Sequence, residues 1–134
     1  MTEEAKTKKY VVMYSGATGF DFVGIFFAQD EHGALAKALE STPSRLELER
    51  VEIKLIDHEC KIDKEFYDAV QDGSKPFEIR NNDRNFQTGQ IVLLREFDQK
   101  LRRYSGRQHV AGIGFVTPYN QKPGYVVFGL VSAF

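Results

Sequence analysis

Apolar and polar positions change rhythm several times along the chain. YVVMYS (10–15) and DFVGIFFAQ (21–29) are rich in β-branched and aromatic residues and are separated by GATGF (16–20), whose glycines permit a turn. This predicts two paired strands, after a polar, frayed first ten residues. DEHGALAKALES (30–41) then shifts to helical spacing, with Leu35 and Leu39 repeating, Asp30 as N-cap and Glu31 complementing the helix dipole. Pro43 closes that helix, and LELERVEIKLI (46–56) alternates apolar with charged residues as a half-buried strand does. The first half therefore predicts a ββαβ unit over residues 1–57.

A second unit is predicted over 58–134. IDKEFYDAVQDG (62–73) reads as a short helix, with Ile62, Phe66 and Val70 on one stripe and Gly73 able to stop it in the left-handed conformation. FEIR (77–80) is a strand fragment in which alternation would send Phe77 and Ile79 inward and Glu78 and Arg80 to an accessible face. NFQTGQ is a tight connection, and IVLLREFD (91–98) is a strand apolar on both faces at its start. RRYSGR (102–107) reads as a basic loop. RQHVAGIGFVTPY (107–119) is a strand whose Gly112 and Gly114 suggest a bulge, and GYVVFGLVSAF (124–134) is a buried strand. Many short strands with few helices predict an α+β fold dominated by a small, strongly curved sheet or barrel.

Composition narrows the class without naming a function. With 134 residues, 42% hydrophobic and 28% charged, the chain is the size of one ordinary globular domain. The lone Cys60 can form no internal disulfide, and neither a signal-peptide pattern nor an apolar run of about 20 residues occurs. A cytoplasmic protein without a membrane span is the expectation. The net charge of −1 conceals an asymmetry: residues 73–134 carry nine Lys or Arg against four Asp or Glu (+5), leaving nine against fifteen (−6) before them. The C-terminal part could face a polyanion, although arginines spread over a small barrel also serve solubility.

Candidate chemistry concentrates in GSKPFEIRNNDRNFQTGQ (73–90), where Lys75, Glu78, Arg80, Asn82, Asp83 and Arg84 interleave with Phe77, Ile79 and Phe86. A fixed carboxylate among cations can accept from a ligand amine while guanidinium groups take phosphate or carbonyl oxygens. The same residues could equally pair among themselves at a strand end. In KLRRYSGR, four Lys or Arg surround Tyr104, so Arg102, Arg103 and Tyr104 could follow a phosphate backbone and stack a base, or form a solvated hairpin loop. His58, Glu59 and Cys60 are adjacent, so in a strand they face opposite ways, and no second Cys/His pair stands at ligand spacing. No metal or cofactor is expected. Cys60 itself reads as a buried, inert thiol.

GSKPFEIR resembles the GxKxxExR signature of the ASCH domains, which belong with the PUA-like β-barrels. The longer run from HECKI through FYDAVQDGSKPFEIRNNDRNFQTGQIVLLREFD to YSGR and GYVVFGL resembles a bacterial and phage branch of that superfamily, known as a domain of unknown function. The resemblance covers residues from about His58 onward and implies a PUA-like barrel with a helix before the signature strand. It also implies a cleft that binds RNA or a nucleotide base, lined by Gly73, Lys75, Glu78 and Arg80, with Asn82, Asp83, Arg84 and Phe86 as the branch's own continuation. Some ASCH proteins are amidohydrolases of acetylated cytidine, with a threonine three residues after the signature lysine. Here that position is Glu78, so an acyl-enzyme mechanism does not transfer, and the alternative is a hydrolase in which Glu78 activates water and Lys75 stabilises developing charge. The primary expectation is a module binding RNA or a modified nucleoside, with the N-terminal unit, outside the resemblance, available to a protein partner.

Overall fold

The structure, a computed structural model, describes residues 7–17, 19–42 and 46–134. The chain divides into two compact units between Ile56 and Asp57. Among the described residues the architecture is mixed α+β, mostly strands, with two α-helices. Among the described residues no helix is long and apolar enough to cross a membrane.

In the first unit β1 (Lys8–Gly16), β2 (Gly19–Ala28) and β3 (Val51–Leu55) form an antiparallel sheet in the order β2-β1-β3. Helix α1 (Glu31–Ser41) follows β2, and the Asp30 side chain caps it by accepting from the Gly33 amide at 2.9 Å. The predicted Leu35/Leu39 stripe is corrected. Ala34 and Ala38 are the buried helix positions and Leu39 is exposed, because small side chains let the helix approach the sheet at Tyr10 and Phe26. The strand predicted from residue 46 starts at Val51, since Leu48–Arg50 closes a 3₁₀ turn in which the Arg50 amide donates to the Glu47 carbonyl. Pro43, read as the helix stop, lies outside the described residues.

In the second unit β4 (His58–Asp63), β5 (Phe77–Asn81), β6 (Ile91–Asp98), β7 (Arg103–Thr117) and β8 (Tyr125–Val131) form one sheet in the order β4-β6-β7-β8-β5. β4 runs parallel to β6 and every other pairing is antiparallel. Helix α2 (Lys64–Gln71) covers one face and buries Tyr67 and Val70 against Cys60, Ile62, Val92, Leu94, Ile113 and Phe128. Ile62 therefore belongs to β4 rather than to the helix, and Phe66 is exposed, which corrects the predicted Ile62/Phe66/Val70 stripe.

A closed barrel is not formed. No backbone ladder joins the two edge strands β4 and β5. Instead the guanidinium groups of Arg80 and Arg84 donate to the carbonyl oxygens of Lys61 and Glu59, alternate residues on the free edge of β4. Side chains thus satisfy edge groups that a neighbouring strand would otherwise pair.

The predicted basic loop 102–107 is also revised. The turn is confined to residues 99–102, with Arg102 at φ 56°, and β7 begins at Arg103, where Phe97 pairs with Tyr104. A register shift between Arg95 and Phe97 places Ser105–Arg107 in a bulge, with Gly106 at φ 97°. A second shift, between Ile113 and Val116, falls at the Gly112/Gly114 region, where a Cβ on Gly112 would come within 3.0 Å of the Ser132 carbonyl oxygen.

Candidate functional site

The turn after α2 sets the geometry of the charged cluster. Gly73 at φ 85° reverses the chain, and the Lys75 amide donates to the Ala69 carbonyl at 2.9 Å. Lys75 is thereby aimed back over the start of β5. There the expected alternation is inverted: Glu78 is 5% exposed, whereas Phe77 and Ile79 are 40% and 51% exposed. The pairing partners supply the reason. Glu78 and Arg80 lie opposite Phe128 and Val126 of β8, both core residues, whereas Phe77 and Ile79 lie opposite Gly129 and Val127 on the other face. On the inward face of β5, Arg80 donates to the Lys61 carbonyl on the edge of β4, and Glu78 is the counter-ion that holds Arg80.

Glu78 is held on both oxygens. Lys75 Nζ donates to Oε1 at 2.8 Å, and Arg80 reaches Oε2 through Nε at 2.9 Å and Nη2 at 2.8 Å. Arg80 Nη2 also reaches the Lys61 carbonyl, so one guanidinium ties β5 to β4. Lys75 additionally donates to the Phe77 carbonyl at 2.9 Å, and its ammonium lies 4.7 Å from the Phe77 ring centre and 5.5 Å from that of Phe66. A carboxylate so clamped is a fixed anion that orients two cations. Both of its oxygens already accept from these cations.

These groups line a cleft of about 470 Å³ between the end of β4, the start of α2 and β5. Lys61, Lys75 and Arg80 face it with Glu78 and Asp63, three cations against two carboxylates, and Phe66, Phe77 and Ile79 supply its apolar wall. In the sequence, Lys61 and Gln99 are not marked as site residues and Phe66 reads as a core position of the helix. They join the site through the parallel β4–β6 pairing and the α2 register, which local sequence does not encode.

The continuation of the motif is largely scaffold. Asn82 Oδ1 accepts from the Phe86 amide at 2.9 Å, and the Asn82 amide donates to the Gly124 carbonyl at 2.8 Å. Phe86 packs between His58 and Phe128, with ring centres 4.6 and 5.0 Å away, and is 3% exposed. Asn82 and Phe86 border a separate cavity of about 540 Å³ with Tyr125, not the charged cleft. Asp83 is exposed in the turn, and Arg84 clasps β4, reaching the Cys60 sulfur at 3.6 Å as well as the Glu59 carbonyl. Burial pushes the Cys60 thiol above its ordinary range despite the nearby Arg80 and Arg84. Among the described residues no group of three or more His, Cys, Asp or Glu is placed to hold a metal.

The basic segment around Tyr104 splits between two faces of the sheet. The bulge turns Arg107 toward Glu96, which it grips bidentately at 3.0 and 2.7 Å, toward Asp68 at 2.8 Å, and over the Tyr67 ring. The hydrogen bonds from Arg107 hold the buried Glu96 carboxyl below the usual carboxylate range. Tyr104, on the opposite face, meets Phe97 edge-on at 5.2 Å and carries the Arg95 guanidinium 3.8 Å from its ring centre. Arg102 and Arg103 are exposed beside it.

The family model described as "Domain of unknown function (DUF3850)" matches residues 57–130, more than half of the chain. The chain belongs to this family. A curated relative, an "Uncharacterized 12.9 kDa protein in GpA 3'region" of Escherichia phage P2, is 37% identical over 60 residues, which are 45% of this chain and 53% of that protein. The chain thus spans about half the length of that relative. The DUF3850 match begins at the division between the two units and contains the whole charged cleft.

Proposed function

We propose that the DUF3850 domain of this protein binds RNA or a modified nucleoside in the cleft between β4, α2 and β5. The observation that carries the reading is Lys75, fixed by Glu78 between the exposed rings of Phe66 and Phe77, with Arg80 and Lys61 alongside. Aromatic faces stack any base, and convergent cations take phosphate. The convergence of Gly73, Lys75, Glu78 and Arg80 supports kinship with the ASCH signature. On this reading the five-stranded sheet is a PUA-like barrel whose seam is closed by Arg80 and Arg84 rather than by a ladder.

The test is titration of a mixed RNA pool at two salt concentrations with wild type, Phe77→Ala and Lys61→Gln. Binding is expected to weaken as salt rises, less steeply in Lys61→Gln, and Phe77→Ala is expected to cost about 1–3 kcal/mol of affinity. No binding at low salt, or binding indifferent to both substitutions, overturns the reading. With acylated nucleosides, no turnover above that of Glu78→Gln is expected, because Glu78 already serves Lys75 and Arg80.

A further inference from the structure

We infer that the ligand is a single-stranded oligonucleotide rather than a free nucleotide, with the cleft taking one nucleotide and Tyr104 stacking the neighbouring base; this rests on the nucleotide reading of the cleft. The carrying observation is the continuity between the cleft and the Tyr104 face. Lys61 lines the cleft, and its ammonium lies 4.3 Å from the Phe97 ring centre and 5.8 Å from that of Tyr104. Gln99, which also lines the cleft, opens the turn that returns as Arg103 and Tyr104.

The Tyr104 ring is already ordered. Arg95 is stacked on it, Phe97 meets it edge-on, and Arg95 is itself held by Glu59 at 3.3 Å. Tyr104 is nevertheless 36% exposed, and on this inference the base stacks on the ring face away from Arg95. Lys61 stands between this platform and the cleft, where the phosphate linking two nucleotides would pass. Arg102, exposed in the turn that leads into Tyr104, adds positive charge next to it. Stacking on Tyr104 and on the Phe66/Phe77 wall requires bare base faces, which a duplex covers with its own neighbours. The surface is therefore specific for single strands.

The experiment compares the four ribonucleoside 5′-monophosphates, 5′-phosphorylated mixed-sequence trinucleotides of RNA and of DNA, and a blunt duplex, by calorimetry at low salt. Wild type is expected to bind trinucleotides at least tenfold more tightly than monophosphates, with a steeper salt dependence, and to bind the duplex most weakly. Tyr104→Ala is expected to lose roughly 5- to 100-fold for trinucleotides while leaving monophosphate affinity unchanged. Tyr104→Phe, which keeps the ring over Phe97, should behave as wild type, and Tyr104→Leu, which keeps an apolar cover without a π face, should behave as Tyr104→Ala. Equal affinity for monophosphates and trinucleotides, duplex binding as tight as that of a single strand, or full trinucleotide affinity in Tyr104→Leu overturns the inference and leaves the cleft reading standing. If neither monophosphates nor trinucleotides bind, both fall together. The RNA and DNA arms report which backbone the surface accepts.

Discussion

Replacing Arg80 by alanine removes two donors to Glu78 Oε2, at 2.9 and 2.8 Å, and the clasp onto the Lys61 carbonyl. Glu78 is almost fully buried, so the loss strands half of a carboxylate that has little water to turn to. Breaking a fully buried ion pair costs about 3–5 kcal/mol. Two features lower that figure here: the Arg80 side chain is 25% exposed, and Lys75 still holds Oε1 at 2.8 Å. The expected cost is about 2–3 kcal/mol. Ile79→Ala provides the comparison. Full burial of an isoleucine stabilises by about 1.5–3 kcal/mol, and Ile79 is half exposed with no enclosed space to leave behind, so about 1 kcal/mol is expected. The order is the reverse of what alternation along FEIR suggests. Urea unfolding followed by circular dichroism measures both, since the chain has no tryptophan to report by fluorescence. A double-mutant cycle with Glu78→Leu should return a coupling above about 1 kcal/mol. If Arg80→Ala lies within about 0.5 kcal/mol of wild type, or Ile79→Ala proves the costlier, the buried clamp is not what fixes β5.

Glu96 makes stability acid-sensitive in a defined direction. Its carboxyl is held below the ordinary range by Arg107, with help from Ser105, so the stabilisation is present above about pH 4.3, the unfolded value, and is lost as pH falls through the lower folded value. Unfolding midpoints measured from about pH 5 to pH 3 should fall, and should fall less in Glu96→Gln, with a residual slope from Asp72 and Asp98, which are also held low; an undiminished slope in that variant would refute the assignment. Cys60, buried and with its thiol pushed up, should react with a disulfide reagent at pH 8 far more slowly in the folded protein than in urea. Labelling at the free-thiol rate would show that β4 is open to solvent.

What the sequence made legible follows from where the determining interactions lie. The N-cap at Asp30, the reversal at Gly73 and the apolar run of β6 are local, decided within a few residues, and the structure bears each of them out. The parity of β5 is not local. Apolar and charged residues alternate in FEIR whichever face is inward, and the choice depends on the pairing with Val126 and Phe128 and on the bare edge of β4. The same holds for RRYSGR, whose basic residues look alike in sequence. The bulge at Ser105–Arg107 sends Arg107 to a buried carboxylate on one face and leaves Tyr104 on the other.

The motif residues therefore divide by what surrounds them rather than by residue type. Asn82 and Phe86 are chemically the best base readers in the continuation, an amide and an aromatic ring, yet one is committed to a turn and the other to the core. Arg80 and Glu78 are half of an architectural clamp. On the proposed reading, recognition falls to groups that stability does not need buried: the rings of Phe66, Phe77 and Tyr104, and the cations of Lys61 and Arg102. Substitutions there should separate affinity from stability, and substitutions in the clamp should move both.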